Sequence, residues 1–384
     1  QKGCTMFIFK KILVYIQATD HILILLTTLA TVFGFVLIDS ATQGSVRMLT
    51  VQTIGMIIGY VAMVIISQID YHDIAGAWKV LAIISIFFLI LTIVIGSSRA
   101  GSQDRAWIRI GSNTIQPSEF IKIIFAITFA KHYDLIKEQI NKPRNVVMLT
   151  LHAMVPIVLL LLQRDMGMLL VYTLMFACMM FAANVKLRYF SIAGLAILIS
   201  GPIIWSKILG ATQKNRILSL FDPVKYSTDA YQQTQGRLAI GSGGLLGEGL
   251  FHGQITQGIA SQLPEKQNDM IFAVAGEELG FIGCVAILVI FLFFLIRLIQ
   301  IARKSKDAMG CIICIGVFAS FAVQVGVNVA AALMFFPITG ISLPFFSYGG
   351  SSIISCFAAV GIALSVYMHR STSIFSDKPK QKFA

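Results

Sequence analysis

The sequence predicts an all-α fold, a polytopic membrane helix bundle of about ten transmembrane helices. Of its 384 residues, 57% are hydrophobic and only 12% are charged, which is roughly half the charged fraction of a soluble domain. The basic residues behind the net charge of +12 are spread along the chain, so they fit a membrane-orientation signal better than nucleic-acid binding. We therefore predict a single integral membrane domain over residues 1–384, with the lipid bilayer as its solvent and no nucleic-acid partner.

Apolar runs near the ~20 residues that a helix needs to cross hydrocarbon place the spans. They cover residues 12–38, 50–67, 78–96, 117–132, 146–162, 167–184, 189–206, 270–297, 309–335 and 352–369. With the N-terminus inside, the short outer loops hold few basic residues, namely Arg47, Arg99, Arg105, Arg109 and Arg164. Because Lys and Arg favour the cytoplasmic side, we predict two cytoplasmic termini and a long extracellular loop, 207–269, between spans 7 and 8.

The first polar stretch on the predicted outer face is DRAWIRIGSNTIQPSEFIK, residues 104–122. Pro117 suits the first turn of a helix. Glu119 and Lys122 are three residues apart, so they share a helical face and can pair. An interfacial ion pair is the alternative. Arg105, Arg109 and a tryptophan in the same short loop favour a polar-ligand site.

The second polar stretch is QRDMG, Gln163–Gly167, a tight link between two spans. Asp165 can bind a ligand or a cation there, or it can cap the helix that follows. The sequence leaves both roles open.

The third stretch is the 207–269 segment, whose centre reads AIGSGGLLGEGL from Ala239. A loop of this length without regular structure is usually functional, and glycines allow the backbone to approach a ligand closely. An amphipathic piece lying in the outer leaflet is the structural alternative, and it is compatible with a functional role.

The most informative stretch is LPEKQNDMIFAVAGEELGFIG, Leu263–Gly283, where the long loop meets an apolar helix. Asp269 lies at the junction, and Glu277 and Glu278 lie ~12 Å further along the helix axis. Carboxylates at that depth are costly unless paired or hydrated. Capping and catalysis stay equally open for Asp269. Since Glu277 shares an i, i+4, i+8 row with Asp269, we expect Glu277 to border the same cavity and Glu278 to contact a neighbouring span or loop.

The fourth polar stretch is FPITGISLPFFSYGGSS, Phe336–Ser352, between the last two predicted spans. Its prolines and glycines forbid a continuous helix, and irregular backbone at membrane depth occurs beside a cavity. Ser347 and Ser351 offer hydroxyls there, and the glycines can expose N–H groups to a phosphate. A simple turn is the alternative.

Together these stretches resemble the SEDS family, which includes RodA, FtsW and SpoVE, in the family's order from about Arg99 onward. The segment GQITQG after the glycines is more similar to the RodA branch. The chain departs from the family pattern at Arg164, where proline is common, and at Asn268 and Met270, where threonine and phenylalanine are common.

The resemblance implies a peptidoglycan glycosyltransferase that polymerises lipid II, an undecaprenyl-pyrophosphate disaccharide-pentapeptide, at the outer face of the bacterial cytoplasmic membrane. Asp269 would be the general base, since a partly buried carboxylate can have its pKa brought near the working pH. Lys122, Arg105, Arg109 or a divalent cation (Mg²⁺ or Mn²⁺) would stabilise the pyrophosphate leaving group, and no organic cofactor is expected. The candidate substrate-binding residues are Arg105, Arg109, Gln116, Ser118, Glu119, Lys122, Asp165, Glu277, Ser347 and Ser351.

The family also implies a partner, because the chain has no recognisable transpeptidase domain and cross-linking would require a class B penicillin-binding protein. The alternative function is a flippase for the same lipid-linked precursor, since charged residues inside the bundle also suit a translocation path. A non-catalytic scaffold is the third hypothesis. Whether the chain serves elongation, division or sporulation stays open.

Overall fold

The computed structural model describes residues 15–98, 104–111, 113–259 and 262–370. The first three residues of the predicted span 12–38 and the predicted outer-loop residue Arg99 lie outside these ranges. The α-helices are α1 His21–Ala41, α2 Val46–Gln68, α3 Tyr71–Gly76, α4 Trp78–Ile95, α5 Pro117–Ile136, α6 Pro143–Gln163, α7 Met166–Ala182, α8 Leu187–Ile203, α9 Ala211–Leu218, α10 Ser227–Ser242, α11 Ile271–Arg303, α12 Ala308–Ala332 and α13 Gly350–Met368.

Ten of these helices match the ten predicted spans, and the predicted membrane bundle is confirmed. Within the described ranges, eight helices are long and apolar enough to cross a membrane. The ninth, α7, is apolar but has 17 residues. The tenth, α5, has 20 residues and carries charged side chains at both ends. A short 3₁₀ turn, Lys137–Gln139, follows α5, and a π-helical turn, Ile204–Ile208, extends α8.

Several helices begin at residues that favour a helix N-terminus, namely proline in the first turn or a capping aspartate. Pro117 and Pro143 occupy the first turns of α5 and α6, where a missing N–H costs nothing. The Asp165 carboxylate accepts a 3.0 Å hydrogen bond from the Met168 N–H and so caps α7. These caps fix the ends of the helices that carry the polar stretches.

Of the eight candidate spans, α12 and α13 are the most deeply buried, with 61% and 78% of their apolar windows inside the bundle. Helix α2 approaches α13 closely because Gly59 has no side chain. A Cβ atom added there would lie 2.4 Å from Cδ2 of Phe357. Helix α8 is peripheral, since none of its described side chains is buried.

Three features were not predicted from the sequence. A β-hairpin pairs β1 Ile108–Ile110 with β2 Asn113–Ile115 in antiparallel register inside the first polar stretch. The 207–269 segment, expected to lack regular structure, contains α9 and α10. Helix α11 is broken at Gly280, where φ is 66° and ψ is −162°.

Candidate active site

A cavity of about 570 Å³ opens at the end of the bundle where α5, α7 and α11 begin. All four polar stretches and the Asp269 junction contribute to its wall. The charged and amide side chains in the lining are Asp104, Gln116, Arg164, Asp165, Gln213, Arg216, Gln232, Glu265 and Asp269. Three predicted site residues are therefore brought together here, namely Gln116, Asp165 and Asp269.

Asp269 lies two residues before α11 and is 9% exposed, so its carboxylate is mostly removed from water and still reaches the cavity. Its backbone carbonyl accepts a 2.9 Å hydrogen bond from the Asn328 side chain. Gly340 lies opposite, and a Cβ atom there would be 3.9 Å from Oδ2 of Asp269. A second acid of the same loop, Glu265, lines the cavity and accepts a 2.5 Å hydrogen bond from Nδ2 of Asn268.

Asp165 faces Gln116 across the cavity wall. Nε2 of Gln116 donates to Oδ2 of Asp165 over 2.8 Å. The pKa of the Asp165 carboxyl is raised to about 6, chiefly by burial. The carboxylates of Asp104 and Glu119 also raise this pKa, and the hydrogen bonds from Met168 and Gln116 lower it. Asp165 is thus an acid that can change its charge close to neutral pH.

Glu119 and Lys122 form the ion pair expected from their spacing, but they do not line the cavity. Both side chains are buried. Nζ of Lys122 also donates to Oε1 of Gln324 over 3.1 Å, and the Ser355 hydroxyl donates to the Glu119 carbonyl over 2.6 Å. The pair therefore ties α5 to α12 and α13, and the expectation that it belongs to the outer cavity is corrected.

The arginines at the cavity are not those chosen from the sequence. Arg105 and Arg109 are exposed and outside the lining. Arg164 and Arg216 line it instead. Arg164 ends α6 in the left-handed conformation, with φ of 61°, and Nη1 of Arg216 donates to the Ile338 carbonyl over 3.3 Å. Arg164 could have been noticed from the sequence, because it replaces the proline that is common in the family at this position. Arg216 could not, because the helix that carries it was not predicted.

Glu277 and Glu278 are both buried, with 0% exposure, and neither lines the cavity. Oε1 of Glu277 accepts the Ile255 N–H, and Oε2 accepts the N–H of Thr256, each over 2.7 Å. The expectation that Glu277 borders the cavity is wrong, because its carboxylate is used to bind the loop backbone. Glu278 accepts from the Ser40 hydroxyl of α1 over 2.6 Å, so its expected contact with a neighbouring span is present.

The three predicted serines also lie outside the cavity lining. The Ser347 hydroxyl donates to the Asn268 carbonyl over 2.7 Å. Ser118 and Ser351 are buried, and the Ser118 carbonyl accepts the Tyr172 hydroxyl over 2.8 Å. Their position outside the lining does not favour direct contact with a substrate in this cavity, so that contact stays a prediction, and Ser347 supports the segment that carries Asp269.

Among the described residues, no three His, Cys, Asp or Glu side chains are close enough to hold a metal ion together. A divalent cation commonly uses one or two carboxylates together with substrate phosphates, and the acids of the cavity lining would suit that arrangement.

A model of the FtsW/RodA/SpoVE family, described as "Cell cycle protein", matches residues 20–372. This chain belongs to the FtsW/RodA/SpoVE family. It is 34% identical over 358 residues to "Stage V sporulation protein E" of Bacillus subtilis, covering 90% of this chain and 96% of the relative. It is 31% identical over 355 residues to "Peptidoglycan glycosyltransferase MrdB" of Escherichia coli K12, covering 91% and 94%.

A third relative, "Probable peptidoglycan glycosyltransferase FtsW" of Geobacter sp. M18, is 32% identical over 370 residues, covering 91% of this chain and 97% of the relative. The three identities are too similar to separate the branches of the family, and the closer likeness to RodA stays a prediction. The predicted family itself is confirmed.

Solved structures share the fold. RodA of Thermus thermophilus aligns with a TM-score of 0.70 at 25% identity, covering 92% of this chain and 98% of RodA. A chain from a solved peptidoglycan synthase complex, described as "Structural coordination of polymerization and crosslinking by a peptidoglycan synthase complex", aligns with a TM-score of 0.78 at 25% identity, covering 92% and 99%.

Proposed function

We propose that this chain is a peptidoglycan glycosyltransferase that polymerises lipid II into glycan strands, with Asp269 as the general base. The activity class is that of its relatives FtsW and MrdB, whose names state it. The observation that carries the assignment of the base is the position of Asp269, a mostly buried carboxylate in the wall of a cavity that two arginines also line.

The reaction needs one proton transfer and one displacement. Asp269 would take the proton of an acceptor sugar hydroxyl while the hydroxyl oxygen attacks the anomeric carbon of the lipid-linked donor. The bond from that carbon to the pyrophosphate oxygen breaks, and the electron pair leaves with the pyrophosphate. A single displacement inverts the anomeric centre, from an α-linked donor to a β-linked product.

The leaving group gains negative charge as this bond breaks, so fixed cations beside it favour the transition state. Arg164 and Arg216 are the cavity's arginines and would serve this role. The guanidinium group also matches phosphate geometry in a bidentate manner. They replace Lys122, Arg105 and Arg109 in the proposal, because those three side chains lie outside the lining.

A divalent cation, Mg²⁺ or Mn²⁺, is part of the proposal, and one or two of the cavity carboxylates would hold it. It would supply further charge neutralisation of the leaving group. The described acids that line the cavity and would be available as ligands are Asp104, Asp165, Glu265 and Asp269.

We further propose that the cavity opens on the outer face of the cytoplasmic membrane, with both termini in the cytoplasm. The support is the distribution of basic residues, which favours the opposite end of the bundle. The similar solved complex is described as coordinating polymerisation with cross-linking. We infer that this chain likewise assembles with a cross-linking enzyme, a class B penicillin-binding protein.

The decisive experiment is polymerisation of purified lipid II by the wild-type protein and by Asp269→Asn, each with and without Mg²⁺ or Mn²⁺. Asn keeps the shape of the side chain and its capping ability but removes its basicity. Loss of glycan strands in a folded Asp269→Asn supports the base. Near wild-type strand synthesis would show that Asp269 only caps or supports the helix. A parallel assay of lipid translocation separates polymerase from flippase.

A further inference from the structure

Three consecutive backbone carbonyls of the segment that carries Asp269 accept hydrogen bonds from residues outside that segment. We call residues 265–269 the Asp269 segment. The carbonyl oxygens of three consecutive residues accept from three different donors. These bonds are Tyr348 N–H to Gln267 (2.8 Å), Ser347 Oγ to Asn268 (2.7 Å) and Asn328 Nδ2 to Asp269 (2.9 Å). The segment is thus fixed at its backbone by α12 and by the loop that follows α12.

Each of the two side chains in this set makes a second hydrogen bond with a residue of the loop between α12 and α13, to which Ser347 itself belongs. Nδ2 of Asn328 also donates to the Ile341 carbonyl over 2.9 Å. Oγ of Ser347 also accepts from the Leu343 N–H over 2.7 Å. Each side chain therefore bridges the Asp269 segment and the same loop, and both bridges would have to change if the loop moved relative to Asp269.

That loop forms the wall opposite the Asp269 carboxylate, at Gly340. Asn328 and Ser347 are 2% and 4% exposed, and neither lines the 570 Å³ cavity. Asn328 lines only a small neighbouring pocket of about 10 Å³ behind Asp269 and Gly340, which leaves no room for a substrate group. Any influence they have on the reaction passes through the position of Asp269.

We propose that Asn328 and Ser347 are positioning residues that set the Asp269 carboxylate against the cavity wall at Gly340. This inference rests on the proposed function, because it needs Asp269 to act in the reaction. Proton transfer requires hydrogen-bond reach, and a misplacement of about 1 Å can cost roughly 100-fold in rate.

Two substitutions test this positioning with little change in volume. Asn328→Asp places a carboxylate against two carbonyl oxygens in place of the amide donor, and Ser347→Ala removes one hydroxyl. We expect kcat for lipid II polymerisation to fall at least ~10-fold with KM within about twofold, since the loss is confined to the chemical step. Ser347→Thr keeps a hydroxyl and should recover most of the lost kcat.

Ser320→Ala is the matched control. Ser320 is a buried serine of the same helix α12, and its hydroxyl donates to the Val317 carbonyl within that helix. Its kcat should stay at the wild-type value. Thermal unfolding in detergent identifies variants that fail to fold. If Asn328→Asp does not fold, the comparison of Ser347→Ala with Ser347→Thr tests the positioning role alone.

The inference is overturned if folded Ser347→Ala keeps the wild-type kcat, if KM rises while kcat does not change, or if Ser347→Thr is no better than Ser347→Ala. The Asp269→Asn measurement separates this failure from that of the proposed function. An inactive Asp269→Asn beside fully active Ser347→Ala removes only the positioning role. An active Asp269→Asn removes the base, and the positioning inference with it.

Discussion

Gln116 and Asp165 come from two separate polar stretches of the sequence and are joined by a 2.8 Å hydrogen bond at the cavity wall. One carboxylate oxygen of Asp165 accepts from Gln116, while the other caps α7 through the Met168 N–H. The sequence left capping and ligand binding open for Asp165. The structure shows that capping occupies only one oxygen, so the two roles are compatible.

The first prediction concerns pH. Burial raises the pKa of Asp165 to about 6, above its ordinary value, so the folded state binds this proton more tightly than the unfolded chain does. The resulting stabilisation is present in full below about pH 4 and is lost as pH rises through 6. Its upper limit is about 3 kcal/mol, at ~1.4 kcal/mol per pKa unit. Thermal unfolding between pH 4 and 7.5 measures it.

Asp165→Asn is the control for this pH dependence, because it keeps an acceptor for the Met168 N–H and cannot titrate. The difference in melting temperature between wild type and Asp165→Asn should change across pH 4–7, with the variant gaining relative to wild type as pH rises. A constant difference over that range would mean that Asp165 does not titrate there.

The second prediction compares two arginines. Arg216 lines the cavity, whereas Arg109 is exposed on the β-hairpin and does not. Arg216→Gln should lower the polymerisation rate on the order of 100-fold, as expected for loss of a group that stabilises transition-state charge. Arg109→Gln should lower the rate by no more than about twofold, since an exposed charge is screened by salt. Equal effects of the two substitutions would contradict the assignment of Arg216 to the pyrophosphate.

The third prediction concerns the adjacent glutamates and reverses the expectation from helical spacing. Glu277→Gln replaces one carboxylate oxygen by an NH₂ group that faces N–H donors of residues 255–256. It should lower the free energy of unfolding by about 1–3 kcal/mol. Glu278→Gln should cost less, because its partners Ser40 and Gln257 can reorient their side chains. Thermal unfolding of both variants in detergent gives the order, and a larger loss in Glu278→Gln would refute it.

The fourth prediction tests the break in α11. Gly280 has a φ of 66°, and a Cβ atom there would lie 2.4 Å from the Gly247 backbone nitrogen. Gly280→Ala should therefore destabilise the protein by at least ~2 kcal/mol through strain and overlap. Gly326→Ala on α12 is the control, since nothing lies within 4 Å of its added Cβ atom. Size-exclusion chromatography and thermal unfolding compare the two, and equal stability would contradict the strain at Gly280.

The spans were predictable because each apolar run near ~20 residues has one stable arrangement in hydrocarbon. The gathering of the polar stretches at one end of the bundle was also predictable, since consecutive spans alternate in direction. The place of Asp269 in the cavity wall followed from its position at a loop–helix junction. These features depend on order along the chain and on local chemistry alone.

The contacts of individual side chains were not predictable in the same way. Helical periodicity places Glu277 on the row of Asp269, but α11 is broken at Gly280 and the 253–257 loop folds back onto the Glu277 carboxylate. Arg216 reaches the cavity only because α9 forms within the long segment. Both outcomes depend on packing between residues far apart in the sequence, which the spacing of residues along one helix does not predict.

Helix α8 has residues 191–199 all exposed in the structure, without any burial against the rest of the described chain. Nothing in the described chain packs on those side chains, so within this chain they need only be apolar, and Leu, Ile, Val and Phe all meet that need. Substitutions among these residue types should change the stability of the protein very little there, so the sequence of α8 can change quickly in evolution. The closely packed α13 has no such freedom. We therefore expect amino-acid substitutions to accumulate much faster in α8 than in α13.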